Sequence, residues 1–286
     1  MSACEECPWR STLRLLRSAS ARELEPDIVM HGAVTSALKA SSQWEQALGA
    51  MLNVRLVGIV SSIIACNAVV SACERAGQWA CASNMLLEAC TRRIRLSVVS
   101  HNAAISASIT YRRWALGLFM LHATRDSGME PTVVSHSAAM AVCEVCLQWE
   151  RAVDLLAHMR IGHVLPNALT LTSAIGACEK GGEYSKALEI MSIMEMGSVT
   201  PDTVTYNAAI SACKKGAQFE KAMQLLMQME DSKVEASVVT YNAAISACGE
   251  GSQWPRALEL LAEVSARHLE ADVITFTAAV GACESG

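Results

Sequence analysis

The stretch Val204–Cys213 reads VTYNAAISAC, and the same ten residues return at Val239–Cys248, thirty-five residues further along the chain. In the first copy a break at Lys214–Ala217 follows, and then a second apolar series, Phe219–Met229, with helical spacing. This pattern predicts a helix, a short turn and a second helix. No segment of the repeat needs a β-strand.

The repeat extends over almost the whole chain. Seven units of thirty-five residues follow one another without a gap, at 28–62, 63–97, 98–132, 133–167, 168–202, 203–237 and 238–272. Residues 1–27 correspond to the second helix of an earlier unit and 273–286 to the first half of an eighth, so we expect both ends to lie inside units. Because one helix pair cannot bury its apolar face alone, the sequence predicts an all-α superhelical solenoid of stacked pairs.

Aromatic residues mark the register of the units. They stand at the seventeenth place of all seven: Trp44, Trp79, Trp114, Trp149, Tyr184, Phe219 and Trp254. Three places later each unit has Ala or Gly. Aromatic side chains can stack on nucleic-acid bases, but a position beside a small core residue favours packing between helices.

Composition limits the function. The chain is 52% hydrophobic but only 5% aromatic. Its formal net charge is −5, so it is no polycation, and any contact with nucleic acid must be local. It contains no Gly-rich phosphate loop, Ser-His-Asp set or zinc-deaminase signature. We therefore expect a protein without enzymatic activity and without a cofactor.

Five of the twelve cysteines stand at the same place in consecutive units. Cys143, Cys178, Cys213, Cys248 and Cys283 are thirty-five residues apart. Helices in neighbouring units pack roughly 8–10 Å apart, beyond the ~7 Å that a disulfide allows, so these residues are predicted to be buried thiols. Cys4 with Cys7 and Cys143 with Cys146 have zinc-like spacing, but a solenoid would hold the two pairs far apart, and no metal site is expected.

The motifs VVSHNAAISA, TVTYNAAISACKKG and VVTYNAAISACGEG carry a family resemblance. The chain resembles pentatricopeptide repeat proteins of the P class, which are built only of thirty-five-residue units. The resemblance implies sequence-specific binding of single-stranded RNA, one base per unit, in organellar RNA processing, stability or translation. It also implies other RNA-processing proteins as partners and a mitochondrial or plastid location, although residues 1–27 form no clear transit peptide.

The resemblance assigns roles to places within a unit. The fifth and thirty-fifth residues flank one slot and read a base: Asn67 with Ser97, Asn102 with Thr132, Ser137 with Asn167, Thr172 with Asp202, Asn207 with Ser237, Asn242 with Asp272, and Thr277 in the eighth unit. The second residue packs on a base: Val29, Ile64, Val99, Val134, Leu169, Val204, Val239 and Ile274. Phosphate contacts are expected from Arg75, Lys180 and Lys215. With the family's pairing rules, the target is predicted to contain 5′-CYAGCU-3′.

Three other interpretations stand beside this one. Asn, Ser and Asp at a helix start are also ordinary N-caps. Helical solenoids also hold peptides, so a protein-binding scaffold is the alternative function. The uncharged run Leu56–Cys73 reaches the lower length limit of a membrane span, but it crosses a unit boundary in register with the other units, and no membrane contact is expected.

Overall fold

Helices joined by short turns make up the described part of the chain. The computed structural model describes residues 98–110 and 112–284, together with Glu45. The helices from residue 98 onwards are α1 Val98–Thr110, α2 Trp114–Asp126, α3 Val133–Val145, α4 Trp149–Ile161, α5 Ala168–Gly181, α6 Tyr184–Met196, α7 Thr203–Lys215, α8 Phe219–Asp231, α9 Val238–Glu250, α10 Trp254–Ala266 and α11 Val273–Glu284. The same residues contain no strand, which confirms the predicted all-α fold. None of these helices is long and apolar enough to cross a membrane.

The chain forms two compact units, Met1–Val142 and Cys143–Gly286. In the first, α1 packs against α2, and Ile105 and Met120 lie in the core between them. Ser108 replaces the periodic cysteine and Gly117 the periodic alanine. A Cβ on Gly117 would lie 2.9 Å from Ser108 Oγ, so the two departures from the repeat lie against each other.

The second compact unit contains a stack of first helices. Helices α5, α7, α9 and α11 pack successively on one another, and α6, α8 and α10 each pack between their own first helix and the next. The buried stripe of α5, α7 and α9 is Ala, Ile, Ala and Cys, for example Ala209, Ile210, Ala212 and Cys213 on α7, all fully buried. Small side chains let the helix axes approach closely, which is why the chain needs so few aromatic residues in its core.

The turns repeat as regularly as the helices. Residues with positive φ occur at the fifteenth place, Arg112, Leu147, Gly182, Ala217 and Ser252, and at the thirty-first, Gly128, His163, Ser198, Lys233 and His268. After α7, Ala217 N donates to Lys214 O at 3.0 Å and Gln218 N donates to Cys213 O at 2.9 Å. These two bonds form a Schellman motif, which ends the helix in the left-handed conformation.

The seventeenth-place aromatics Trp149, Tyr184 and Phe219 pack between helix pairs, as predicted. A Cβ added to Gly216 would overlap the ring of Tyr184, and one on Gly251 would lie 2.8 Å from Phe219 Cδ1. A Cβ added to Gly181 would likewise overlap the ring of Trp149. Gly181, Gly216 and Gly251 are therefore required by the close approach of an aromatic ring from the preceding repeat.

The periodic cysteines that the structure describes are free thiols, and all but the last are buried. Burial raises the pKa of Cys143 to about 12 and the pKa values of Cys178 and Cys213 to about 11. Cys283, on α11, is exposed. The prediction of buried thiols is confirmed for the first four residues of the series and is wrong for Cys283.

Candidate nucleic-acid interface

Exposed aliphatic side chains stand at the second place of every first helix that the structure describes. Val99, Val134, Leu169, Val204, Val239 and Ile274 each leave between 62% and 68% of their surface exposed. In the second compact unit, where the first helices stack, we call Leu169, Val204, Val239 and Ile274 the aliphatic row. Exposed aliphatic residues repeated at one place are typical of a binding surface. Val29 and Ile64 lie outside the described residues.

The thirty-fifth residues cap the next first helix. This group is Thr132, Asn167, Asp202, Ser237 and Asp272, which precede α3, α5, α7, α9 and α11. In α7, for example, Thr205 N donates to Asp202 Oδ1 at 2.8 Å. The capping interpretation is therefore correct for this place. Both bonds from Thr205 to Asp202 use Oδ1.

Hydroxyl groups at the third place complete the caps and were not predicted from the sequence. Ser135, Thr170, Thr205, Thr240 and Thr275 are all fully buried. Thr275 Oγ1 donates to Asp272 Oδ1 at 2.8 Å and accepts from Asp272 N at 3.2 Å. The available signal was Ser or Thr at the third place of each unit from 98 onwards.

The structure brings a fifth residue and a thirty-fifth residue into direct contact in the unit 238–272. Asn242 Nδ2 donates to Asp272 Oδ1 at 3.2 Å, so the two side chains lie side by side. The backbone N–H of Thr275, with its hydroxyl, lowers the pKa of Asp272 below its ordinary value. Asp272 is therefore an ionised acceptor at neutral pH.

The fifth-place asparagines that the structure describes have buried acceptors without a partner. The side-chain Oδ1 atoms of Asn102, Asn207 and Asn242 are buried and accept no hydrogen bond within the described residues. An unpaired buried acceptor costs about 1–3 kcal/mol unless a donor reaches it. A nucleobase N–H or amino group is one such donor.

In the unit 168–202 the two predicted base-reading residues are joined through a third. Thr172 Oγ1 lies 2.7 Å from Thr205 Oγ1, and Thr205 Oγ1 donates to Asp202 Oδ1 at 2.7 Å. Burial raises the pKa of Asp202, but the hydrogen bonds from Thr205 outweigh it and hold this pKa below its ordinary value. The carboxylate is therefore charged at neutral pH.

The remaining fifth-place hydroxyls bond to their own helices. Ser137 Oγ donates to Val133 O at 2.8 Å, and Thr277 Oγ1 donates to Val273 O at 2.7 Å. Each keeps only acceptor capacity for a ligand. Asn67 and Ser97 lie outside the described residues.

The lysines predicted to bind phosphate are paired with glutamates of the preceding repeat. Lys180 Nζ lies 2.9 Å from Glu144 Oε1. Lys215 Nζ donates to Glu179 O at 2.8 Å and lies 3.7 Å from Glu179 Oε1. Both lysines are partly exposed, but their charge is offset locally. Arg75 lies outside the described residues.

Stacked helix pairs with a repeated polar and aliphatic surface define this chain as a helical-repeat protein. Sequence models of known families match it in three overlapping places. The PPR repeat family matches residues 201–250, the pentatricopeptide repeat domain 154–216 and the PPR repeat 239–268. Residues 154–268 therefore match pentatricopeptide repeats. None of the curated protein sequences matches it.

Solved structures of similar fold agree with this assignment. The pentatricopeptide repeat protein PPR10 in complex with an 18-nt psaJ RNA element has a TM-score of 0.72 at 18% identity, over 100% of this chain and 41% of that one. PPR10 from maize has a TM-score of 0.53 at 20% identity, over 96% of this chain and 44% of that one. The PPR domain of Arabidopsis thaliana PRORP1 in complex with tRNA has a TM-score of 0.55 at 14% identity, over 63% of this chain and 95% of that one. This chain thus spans about two fifths of the length of PPR10.

Proposed function

We propose that this chain binds single-stranded RNA, one base per repeat, without catalysing a reaction. Each base would pack on a second-place aliphatic side chain and present its edge to the fifth and thirty-fifth residues of that repeat. The observation that carries the proposal is the slot at Asn242 and Asp272. There an ionised carboxylate contacts a buried amide whose oxygen has no partner among the described residues. An RNA base supplies the missing donors.

The solved relatives support an RNA ligand. PPR10 was solved with an 18-nt RNA element and PRORP1 with tRNA. Both of these RNA-bound proteins have the helical-repeat fold that this chain has. Base readout of this kind is worth roughly 1–3 kcal/mol per base, or about five- to 150-fold in affinity. Several repeats acting together would then provide specificity.

The proposed target is 5′-CYAGCU-3′, followed by a purine at the Thr277 repeat. In this reading the unit 168–202 selects the G and the unit 203–237 selects the C that follows it. The role would be RNA processing, stability or translation in a mitochondrion or plastid, together with other RNA-processing proteins.

Fluorescence anisotropy tests this proposal directly. Labelled RNA containing CCAGCU is compared with a shuffled RNA and with the matching DNA. We expect the predicted RNA to bind most tightly. The variant Thr172→Asn with Asp202→Ser should then prefer C over G at the fourth base, by about tenfold.

A reciprocal variant is the matched control. Asn207→Thr with Ser237→Asp places the Thr and Asp pair in the next repeat, where the wild-type chain reads C. This variant should prefer G at the fifth base and keep its preference at the fourth. If both variants lose affinity for every RNA equally, the slots do not read bases.

Paired lysines favour a second candidate, the protein-binding scaffold. Lys180 and Lys215 are both engaged with glutamates, and the chain carries a net charge of −5, which opposes RNA binding. In the same experiment, absence of binding at low salt, or equal binding to RNA, shuffled RNA and DNA, would favour the scaffold.

A further inference from the structure

In the unit 168–202, the hydrogen bonds from Thr172 through Thr205 to Asp202 determine which donors and acceptors the slot can present to a base. A threonine hydroxyl has one proton and two acceptor lone pairs. Thr205 Oγ1 lies 2.7 Å from the ionised Asp202, which can only accept, so the proton of Thr205 goes to Asp202 Oδ1. Thr205 Oγ1 therefore accepts the hydrogen bond from Thr172, which lies 2.7 Å away. The single proton of Thr172 is used in this bond.

Thr172 is held differently from the other fifth-place hydroxyls. Ser137 and Thr277 donate to the carbonyl four residues earlier on their own helix. Thr172 instead bonds to a side chain thirty-three residues later, at the start of the next repeat. Its oxygen therefore lies toward the Asp202 cap.

We infer that Thr205, which needs to touch no base, is the positioning residue that makes this slot select guanine. It holds Thr172 Oγ1 beside the Asp202 carboxylate and removes the donor capacity of Thr172, so the slot presents two acceptors. Guanine has two adjacent donors on its Watson–Crick edge, N1–H and the 2-amino group. Adenine and cytosine each have one donor beside an acceptor, and uracil has one donor between two acceptors. This inference rests on the proposed RNA binding.

The slot at Asn242 and Asp272 shows why the third-place hydroxyl matters in one repeat and not in another. There the fifth residue donates directly to the carboxylate, and Thr275 Oγ1 accepts from the backbone N–H of Asp272. Thr275 thus has no bond to Asn242. Only a fifth-place hydroxyl that reaches the next repeat makes the third-place residue part of the readout.

Thr205→Val tests the inference, because valine keeps the shape of threonine and removes the hydroxyl. Affinities are measured by anisotropy for four RNAs that differ only at the fourth base of CCAGCU. In the wild-type chain we expect G to be preferred over A and over U by about tenfold. In Thr205→Val the hydroxyl of Thr172 is free to donate to A or U, so both ratios should fall to about twofold or less.

Two further variants separate positioning from general damage. Thr205→Ser keeps the hydroxyl and should keep the preference for G. Thr240→Val removes the same cap hydroxyl one repeat later, where the preceding fifth residue is Asn207, and should leave the fourth-base ratios unchanged. A uniform loss of affinity for all four RNAs in Thr205→Val, or unchanged ratios, would overturn the inference. If the wild-type chain binds none of the RNAs, the proposed function itself fails.

Discussion

At the scale of single residues, burial sets the chemistry of the periodic cysteines. Burial raises the pKa values of Cys178 and Cys213 to about 11, against an ordinary value of 9.0. Above pH 9 the unfolded chain loses thiol protons that the folded chain keeps. The free energy of unfolding should therefore fall as the pH rises from 9 to 11, by about 1 kcal/mol per thiol at pH 10. Urea unfolding at pH 8 and pH 10 measures this change.

The variant Cys213→Ala isolates the contribution of one thiol. Alanine leaves a small cavity and lowers stability at both pH values, but it removes one titrating group. The loss of stability between pH 8 and pH 10 should be smaller in this variant than in the wild-type chain. An identical loss in both would mean that the thiol of Cys213 does not titrate with unfolding.

The contacts between these residues were only partly predictable from the sequence. The period of thirty-five is enough to place the fifth and thirty-fifth residues on one slot, and the Asn242–Asp272 contact agrees with that placement. The bond between Thr172 and Thr205 was not predicted, because it needs a particular side-chain rotamer across a helix interface. A third-place hydroxyl also looks like an ordinary cap partner, so it carried no separate signal.

At the scale of helices and turns, the contact between Gly216 and Tyr184 joins successive repeats. A Cβ on Gly216 would overlap the Tyr184 ring, so Gly216→Ala should lower the free energy of unfolding by about 1–3 kcal/mol. Chemical denaturation measures the loss. In the background Tyr184→Leu, which removes the ring, the further loss caused by Gly216→Ala should be smaller.

Gly281→Ala is the matched control for this prediction. Gly281 lies inside α11, and nothing stands within 4 Å of an added Cβ. Because alanine is the better helix former, this variant should keep or raise the stability, by up to about 1 kcal/mol. If Gly216→Ala is equally well tolerated, the ring contact does not constrain the packing of the repeats.

In the same turns, the positions of the glycines do not show which residue adopts the left-handed conformation. Glycine at Gly216 and Gly251 suggested where the turn lies, yet the left-handed residue is the next one, Ala217 or Ser252. Two backbone hydrogen bonds hold Ala217 in this conformation despite its Cβ. Sequence reasoning located the turn, but the reason for glycine is the neighbouring ring, which only the packing of the repeats reveals.

At the scale of the whole molecule, the fold was predictable from the repeat, whereas the ion pairs between repeats were not. A period without gaps and apolar residues at helical spacing are sufficient to predict stacked helix pairs. The ion pairs Lys180–Glu144 and Lys215–Glu179 join residues thirty-six apart, one place more than the period. They were not predicted, because they depend on how far one first helix is displaced along the next.

From these ion pairs we predict how RNA binding depends on salt. Lys180 is paired with the Glu144 carboxylate, and Lys215 is bonded to the Glu179 backbone carbonyl and lies 3.7 Å from the Glu179 carboxylate, so phosphate must compete with these groups for each lysine. The double variant Glu144→Gln with Glu179→Gln should bind RNA several-fold more tightly at low salt. The plot of log affinity against log salt should steepen by about 0.7 for each lysine that newly contacts a phosphate. Exposed ion pairs contribute only about 0–1 kcal/mol, so the fold should tolerate the change.

Glu189→Gln provides the matched control for this charge change. Glu189 pairs with Lys186 at 2.9 Å within α6, so Glu189→Gln removes the same single charge as Glu144→Gln or Glu179→Gln alone, without releasing Lys180 or Lys215. It should change the overall affinity only slightly and leave the salt slope unchanged. If Glu189→Gln raises the affinity and the salt slope by about half as much as the double variant, which removes two charges, net charge alone controls binding. If neither variant changes them, the two lysines do not contact phosphate, and the RNA is held by the slots and the aliphatic row alone.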